Sequence, residues 1–187
     1  GVPAEVMDGI RNRLRTLQSD EPLVSVVVIA YNEEKHLPAC LWSLSESVCE
    51  YPMEIIGVNN DSADRTADVF EASGIPYHTE LQHSCGYARR CGLQYAQGKY
   101  YICIDSDTMY PPGYVQAMAD ALQRPGIVAV SSLWSYMPDE GHPWLGLKIY
   151  EFMRDTHLWM QSFKRPELSV RGLVFAYNAD YGRKVGY

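Results

Sequence analysis

Two carboxylates one residue apart, Asp105 and Asp107, directly follow an apolar run at residues 100–104. At about 5 Å apart and an effective dielectric constant of about 20, two such anions would repel each other by roughly 3 kcal/mol. A divalent cation removes that penalty, and carboxylate-bound Mg²⁺ or Mn²⁺ usually completes its coordination shell with substrate phosphates. The pair therefore indicates a metal site for a diphosphate group, with a solvated loop pair as the alternative.

Two more polar clusters follow apolar runs earlier in the chain, at residues 31–34 (YNEE) and 59–64 (NNDSAD). In an open parallel α/β sheet, ligands bind outside the carboxyl ends of the strands. If the three apolar runs are strands of one such sheet, their polar clusters meet at one edge. The pattern predicts a pocket with an apolar floor and a polar rim that suits a base, a ribose and phosphates.

A strand followed by a helix recurs over the first 135 residues. This alternation predicts an α/β fold with a Rossmann-like, mostly parallel sheet and helices on both faces. The β-branched run at 23–30 is typical of a strand buried on both faces, and Asn32 is predicted to cap the helix that follows. The inner face of that helix is predicted to carry Leu37, Leu41, Leu44 and Val48. Further strands are predicted at 53–58, 75–80, 100–104 and 127–134.

The last part of the chain changes character, with one long amphipathic helix predicted at 145–163. We expect its apolar stripe to pack on the core or on a partner, with a membrane-surface or acceptor-lining role as the alternative. Its polar face mixes both charge signs, which argues against the membrane role. The stripe consists of Ile149, Phe152, Met153, Thr156, Trp159, Met160 and Phe163.

The composition narrows the classes of partner. A formal net charge of −7 over 187 residues argues against nucleic acid, and no run approaches the ~18 apolar residues of a membrane span. The N-terminal residues lack the apolar core of a signal peptide. Five scattered cysteines without a C-x-x-C pair indicate reduced thiols and a cytoplasmic location. The five histidines show no metal-ligand spacing and are interpreted as bystanders.

Three segments carry a resemblance to a known family: PLVSVVVIAYNEEKHLPACLWSL, EIIGVNNDSADRTADV and GYARRCGLQYAQGKYYICIDSDTMYPPGY. Through them the chain resembles the family 2 glycosyltransferases, which have the GT-A fold. A weaker similarity continues to the end of the chain, through RGLVFAYNADYGRKVGY. The helical spacing of Val6, Ile10, Leu14 and Leu17 predicts an N-terminal helical extension (1–21). The resemblance implies a nucleotide-sugar-binding α/β domain (22–135) and the start of an acceptor-side region (136–187), truncated at its end.

The first cluster is expected to hold the base. By the resemblance, Tyr31 corresponds to the aromatic residue that packs against the base, commonly uracil, with Ala30 and Glu33 beside it. A tyrosine at a strand end is a plausible stacking platform, and a purely structural tyrosine is the alternative.

The second cluster and the helix before the DSD motif are expected to complete the nucleotide site. Asn59, Asn60 and Asp61 correspond to the segment that recognises the base edge and the ribose. The family most often has Asp where this chain has Asn59, and an amide changes the available donors and acceptors. Arg89 corresponds to the helix arginine that approaches the nucleotide, with a solvated charge as the alternative, and Arg90 replaces a usual Asn.

The resemblance assigns the metal to the two aspartates. Asp105 corresponds to the carboxylate nearer the ribose and the metal, and Asp107 to the principal ligand of Mn²⁺ or Mg²⁺. The implied reaction is metal-assisted transfer, with inversion, of a sugar from a UDP-linked donor to an acceptor hydroxyl. The acceptor class stays open between a saccharide, a lipid-linked sugar and a protein, and the implied location is cytoplasmic or peripheral at the inner face of a membrane.

A general base must take the proton of the acceptor hydroxyl. Members of the family that invert use an Asp as this base, in a motif that follows the segment ending here at Tyr187. We therefore expect the base to lie beyond Tyr187, in a longer protein. Without a base, a non-catalytic sugar-nucleotide-binding module is an alternative, and the DSDT sequence at 105–108 leaves a haloacid-dehalogenase-type phosphatase as a less favoured one. The weaker candidates for the base within the chain are Asp139, Glu140, Glu151, Asp155 and Asp180.

Overall fold

The computed structural model describes residues 2–138, 141–164 and 174–186. Within these residues the chain forms a six-stranded sheet flanked by helices, as expected for an α/β fold. In chain order the elements are α1 (Ala4–Leu17), β1 (Val24–Ala30), α2 (Leu37–Ser45), β2 (Met53–Asn59), α3 (Thr66–Ser73), β3 (Tyr77–Thr79), α4 (Cys85–Tyr95), β4 (Tyr100–Asp105), α5 (Tyr114–Leu122), β5 (Ala129–Ser131), α6 (Trp144–Ser162), β6 (Val174–Asn178) and α7 (Ala179–Val185).

The strand order across the sheet is β3-β2-β1-β4-β6-β5. The first four strands in the chain pair in parallel, whereas β6 runs antiparallel to both β4 and β5. The predicted mostly parallel sheet is therefore confirmed. The chain moves outward from β1 through β2 to β3 and then returns to the other side of β1, which makes the β1–β4 boundary a topological switch point.

The apolar run of β1 is continuous because both faces of the sheet are covered. Val24, Val26 and Val28 lie in one core cluster with residues of α1, α2, α3 and α5. Val27 and Ile29 lie in a second cluster with residues of α4 and α7. Successive side chains of a strand point to opposite faces, so every position of β1 is buried. Helices on both faces are thus confirmed.

A buried carboxylate joins the starts of three strands. Glu54 in β2 is 7 % exposed, and its Oε1 accepts hydrogen bonds from the Ser25 hydroxyl at 2.5 Å and from the Gln97 amide at 2.7 Å. The Ser25 hydroxyl oxygen in turn accepts from the Gly98 amide at 2.8 Å. A Cβ on Gly98 would lie 2.7 Å from the Ser25 nitrogen, so only glycine allows this approach.

We expect Glu54→Ala to lower the free energy of unfolding by about 3 kcal/mol, since it leaves the buried Ser25 hydroxyl and the partly buried Gln97 amide without their acceptor. Urea denaturation followed by circular dichroism measures the change. Glu21→Ala is the matched control, because Glu21 is exposed in the loop before β1 and surface substitutions usually change stability by less than about 0.5 kcal/mol. Equal stability of the two variants would contradict the role of Glu54.

The start of α2 differs from the prediction. Asn32 does not cap the helix, which begins at Leu37 with His36 as its N-cap residue. Asn32 has a φ of 55°, in the left-handed region, and its Oδ1 accepts a hydrogen bond from the Ala63 amide at 2.8 Å. A contact with the next loop therefore replaces the expected cap. Of the predicted inner face, Leu37, Leu41 and Leu44 are buried, but Val48 lies beyond the end of the helix and is 68 % exposed.

The predicted strand at 127–134 is also shorter than expected. Only Ala129–Ser131 pair, at the edge of the sheet beside β6. Ile127 and Val128 are more than 40 % exposed. The apolar run therefore marks an edge strand rather than a buried one.

The predicted long helix exists as α6, but its apolar stripe, which the spacing predicts to face inward, does not pack on the core. The expected inner stripe faces outward, with Phe152 74 % exposed and Trp159 64 % exposed, whereas Glu151 and Leu158 are the buried residues of the helix. The other exposed members of the predicted stripe are Ile149, Met153, Thr156, Met160 and Phe163.

Polar contacts explain which side of α6 faces the protein. The Glu151 carboxylate accepts hydrogen bonds from the Tyr136 amide and from Lys148 Nζ, both at 2.7 Å. Arg154 donates to the Trp134 carbonyl at 2.6 Å, and its guanidinium lies 4.4 Å from the centre of the Trp134 ring. These contacts attach the charged side of α6 to the segment after β5.

Candidate functional site

A cleft of about 470 Å³ lies at the carboxyl ends of β1 and β4. Register explains its position, because Ile29 of β1 pairs with Asp105 of β4 and Ala30 pairs with Asn59 of β2. The residues that follow the three strands therefore meet at one edge of the sheet. Among the residues that line the cleft are seven of the nine predicted site residues: Ala30, Tyr31, Glu33, Asn60, Arg89, Asp105 and Asp107.

Backbone-to-side-chain hydrogen bonds join the two loops that follow β1 and β2. The Asn32 amide donates to the Ser62 hydroxyl at 2.9 Å, and the Ala63 amide donates to Asn32 Oδ1 at 2.8 Å. The Glu34 amide donates to an oxygen of Asp64 at 3.0 Å. These contacts fix the loop that carries Tyr31 and Glu33 into the cleft.

Asn60 attaches a third segment to the same edge. Its side chain is buried; Nδ2 donates to the carbonyls of Glu80 and Gln82 at 2.9 and 2.8 Å, and Oδ1 accepts from the Ser84 amide at 3.0 Å. Ser84 then caps α4, since its hydroxyl accepts from the Gly86 amide at 3.2 Å. The Asn60 side chain thus holds residues 80–84 as a wall of the cleft.

Asn59 and Asp61, the other two predicted site residues, are not among the residues that line the cleft. Asn59 is buried and its Oδ1 accepts from the Ser62 amide at 3.1 Å, which stabilises the turn after β2. Asp61 has a φ of 54°, a left-handed conformation that non-glycine residues adopt rarely. Their assignment to the base edge and the ribose stays a prediction.

His83 also lines the cleft, and it was not among the predicted site residues. Its Nε2 is 3.1 Å from Asp61 Oδ2, and its ring centre is 5.1 Å from that of Tyr31 with the two planes at 78°. Of the five histidines that the sequence analysis interprets as bystanders, His83 therefore lies at the cleft. Its place directly before the N-cap of α4, near one edge of the sheet, is the signal that could have identified it.

The two aspartates after β4 have different environments. Asp105 is partly buried and lies 3.3 Å from Arg89 Nη2, whereas Asp107 is exposed and accepts a hydrogen bond from the Thr108 hydroxyl at 3.2 Å. Burial raises the pKa of the Asp105 carboxyl, the positive charge of Arg89 lowers it, and the negative charge of Asp107 raises it further; the net shift is upward. The ionised form of Asp105 is therefore the one that an added cation would stabilise.

The donor set fits a hard divalent cation that shares its shell with a ligand. Asp105 and Asp107 offer carboxylate oxygens, which suit Mg²⁺ and Mn²⁺. Within the described ranges, no group of three or more His, Cys, Asp or Glu side chains lies close enough together to hold a metal ion. A metal at the two aspartates would thus need oxygens from elsewhere, as Mg²⁺ sites commonly take from substrate phosphates.

Of the candidate bases named above, the three that the structure describes, Glu151, Asp155 and Asp180, are not among the residues that line the cleft. Asp155 pairs with Arg154 at 2.8 Å and Asp180 pairs with Arg183 at 3.3 Å. Glu151, on α6, accepts hydrogen bonds from the Tyr136 amide and from Lys148. Asp139 and Glu140 lie outside the described residues. Where the chain is described, the carboxylates that line the cleft are Glu33, Asp105 and Asp107.

The model of the family described as "Glycosyl transferase family 2" matches residues 25–179. The chain belongs to this family. Among curated relatives, validoxylamine A glucosyltransferase of Streptomyces hygroscopicus subsp. limoneus is 26 % identical over 167 residues, which cover 81 % of this chain and 37 % of the relative. The family 2 chain spans about a third of the length of the first curated relatives it matches, at 30 %, 33 % and 37 % of their lengths.

Solved structures show the same fold. The mannosyltransferase PcManGT from Pyrobaculum calidifontis, in complex with GDP-Man and Mn²⁺, has a TM-score of 0.65 at 17 % identity, over 97 % of this chain and 55 % of that one. Glucosyl-3-phosphoglycerate synthase from Mycobacterium tuberculosis, in complex with Mn²⁺, UDP and glucosyl-3-phosphoglycerate, has a TM-score of 0.62 at 22 % identity, over 96 % and 62 %. The expected GT-A type of fold is confirmed for this family 2 chain. None of its described helices has the length and apolar character to cross a membrane.

Proposed function

We propose that the cleft binds a nucleoside-diphosphate sugar, UDP-linked, through Mn²⁺ or Mg²⁺ held by Asp105 and Asp107. The protein to which this family 2 chain belongs then transfers the sugar, with inversion, to the hydroxyl of an acceptor. The observation that carries the proposal is that an exposed aromatic ring, Tyr31, and both aspartates line one cleft at the switch point between β1 and β4.

The order of the strands indicates how the proposed nucleotide lies across the cleft. β1 lies between β2 and β4, so Tyr31 is central, the aspartates lie on the β4 side, and the segment held by Asn60 lies on the β2 side. Neighbouring strands are about 4.8 Å apart, so β2 and β4 are separated by roughly 10 Å. A nucleoside diphosphate can extend across that distance. The diphosphate lies on the β4 side and the base lies beside Tyr31, toward β2.

Individual residues take the roles that the family resemblance implies. Tyr31 is 52 % exposed and offers a face on which the base can stack. Arg89 approaches the nucleotide from α4 next to Asp105. The residues beside Tyr31 and the residues after β2 contact the base edge and the ribose; they are Ala30, Glu33, Asn59, Asn60 and Asp61.

A divalent metal bound at the aspartates would act as a Lewis acid for the departing nucleoside diphosphate. Asp107, exposed at the rim, is the principal ligand. Asp105 is the second ligand, and its position beside Arg89 places a positive charge near the phosphates as well.

The general base is not assigned to any of the residues that the structure describes, because the carboxylates of the cleft already have roles in holding nucleotide and metal. This observation favours a second candidate function, a non-catalytic module that binds a sugar nucleotide. The phosphatase alternative has no such support in a family 2 chain. We place the base and the acceptor site in further sequence of a longer protein, with a saccharide, a lipid-linked sugar or a protein as acceptor, in the cytoplasm or at the inner face of a membrane.

Two similar proteins support the class of donor, since one is described in complex with GDP-Man and Mn²⁺ and the other with UDP and Mn²⁺. The proposal of uracil rests on the family resemblance at Tyr31. A thermal-shift screen of UDP, GDP, CDP and TDP with Mn²⁺ tests it, and UDP is expected to raise the melting temperature most. A larger shift with GDP would contradict the assignment of uracil, and no shift with any nucleotide would contradict the donor site itself.

A further inference from the structure

Tyr31 and His83, which line the cleft, contact each other on its β2 side, and Asp61, which does not line the cleft, contacts His83 there. Tyr31 follows β1, Asp61 follows β2, and His83 precedes α4. His83 contacts both of the others, Asp61 through Nε2 at 3.1 Å and Tyr31 through the 5.1 Å ring contact. We name Tyr31, Asp61 and His83 the His83 bracket.

The position of the His83 ring is fixed from two directions. Asn60 holds the backbone on either side of it, at the carbonyl of Gln82 and the amide of Ser84. Asp61 contacts the imidazole itself, with its Oδ2 3.1 Å from Nε2. The backbone at 82–84 and the carboxylate of Asp61 together place the ring beside Tyr31.

The exposure of the bracket indicates that it serves a ligand more than the fold. The side chains of His83 and Asp61 are 54 % and 49 % exposed, and Tyr31 is 52 % exposed. Polar side-chain contacts that remain this exposed contribute little to folding stability. Residues held in rarely populated backbone conformations, as Asp61 is, cluster at ligand sites.

We propose that His83 is a specificity-determining residue that restricts the cleft to a single-ring base. This inference rests on the proposed function, in which the base lies beside Tyr31 on the β2 side. The imidazole, held by Asp61 against Tyr31, occupies the space that the second ring of a purine would need. A pyrimidine stacked on Tyr31 ends at His83, whereas a purine collides with it.

Calorimetric titration of UDP and GDP, each with Mn²⁺, tests the proposal on the wild-type chain and on His83→Gly and His83→Phe. The wild type is expected to prefer UDP. His83→Gly opens the space, so the ratio of the GDP Kd to the UDP Kd should fall by about tenfold, the lower end of what steric exclusion in a pocket provides. His83→Phe keeps a ring of similar bulk and should retain most of the preference.

The control is His157→Ala, since His157 is exposed on α6 and is not among the residues lining the cleft; its Kd ratio should equal that of the wild type. Thermal melting shows that each variant is folded, and His83→Ala replaces His83→Gly if the glycine variant is not. A wild-type preference for GDP, or an unchanged ratio in the glycine or alanine variant, would overturn the role of His83 and leave metal-dependent nucleotide binding intact. Absence of binding of either nucleotide by the wild type would instead overturn the proposed function and this inference together.

Discussion

Asp107→Ala is expected to remove the Mn²⁺-dependent part of the affinity for UDP. Asp107 is the exposed carboxylate of the pair, and Asp105 alone is partly engaged by Arg89 at 3.3 Å. Removing one of the two carboxylates that bind the cation should weaken UDP binding by about 10- to 100-fold. This loss corresponds to the roughly 1.5–3 kcal/mol that a hydrogen bond to a charged group contributes. Titration calorimetry with and without Mn²⁺ measures the effect.

Two further variants separate the metal role from other effects. Asp107→Asn keeps the shape and removes the charge, so it should lose nearly as much Mn²⁺-dependent affinity as the alanine variant. Asp20→Ala is the control for a general loss of negative charge, because Asp20 is exposed before β1, at the opposite end of that strand. If Asp107→Ala bound UDP with Mn²⁺ as tightly as Asp20→Ala, the assignment of Asp107 as principal metal ligand would be wrong.

Asn60→Ala is expected to weaken both the fold and the cleft. The substitution removes two donors from the carbonyls of Glu80 and Gln82 and one acceptor from the Ser84 amide, all at a residue that is 5 % exposed. At about 1 kcal/mol net for each hydrogen bond, we expect a loss of about 3 kcal/mol in the free energy of unfolding. The wall at 80–84 also loses its attachment, so affinity for UDP should fall with it.

Asn60→Asp distinguishes the hydrogen bonds from the volume of the side chain. The carboxylate can still accept from the Ser84 amide, but it faces two carbonyl oxygens with no hydrogen to donate. Asn60→Asp should therefore destabilise the chain at neutral pH about as much as Asn60→Ala. Urea denaturation gives the stabilities, and a variant Asn60→Asp as stable as the wild type would show that Asn60 does not hold the wall in this way.

The strands that position the cleft could be predicted because each apolar run ends abruptly. In β1, β2 and β4, burial on both faces favours apolar residues at nearly every position, with the paired Ser25 and Glu54 as exceptions near the strand starts, and a cluster of polar residues marks the strand end. The strand ends predict that Tyr31, Asn60 and Asp105 lie at one edge of the sheet. The parallel register of the strands then brings those ends together.

Long-range contacts explain what the sequence could not predict. The role of Asn32 depends on a hydrogen bond with Ala63, and that of His83 depends on Asp61 and Tyr31. None of these partners is near in sequence. Side chains that act through tertiary contacts leave no periodic pattern, so they look like ordinary loop residues.

Helix α6 shows a different limit of sequence patterns. The apolar spacing predicted the element and its bounds to within one residue, since the helix spans Trp144–Ser162. It could not predict which side faces the protein. The contacts of Glu151 and Arg154 with the segment after β5 determine that side, and they leave the apolar side exposed.

The proposed metal site in the cleft is tested most directly by titrating UDP into the unmodified chain, once with Mn²⁺ and once with EDTA. If Asp105 and Asp107 hold a cation that binds the diphosphate, UDP should bind at least about tenfold more tightly with Mn²⁺, a difference of about 1.4 kcal/mol. Equal affinity under the two conditions would contradict the assignment of the two aspartates to a metal site for a nucleoside diphosphate.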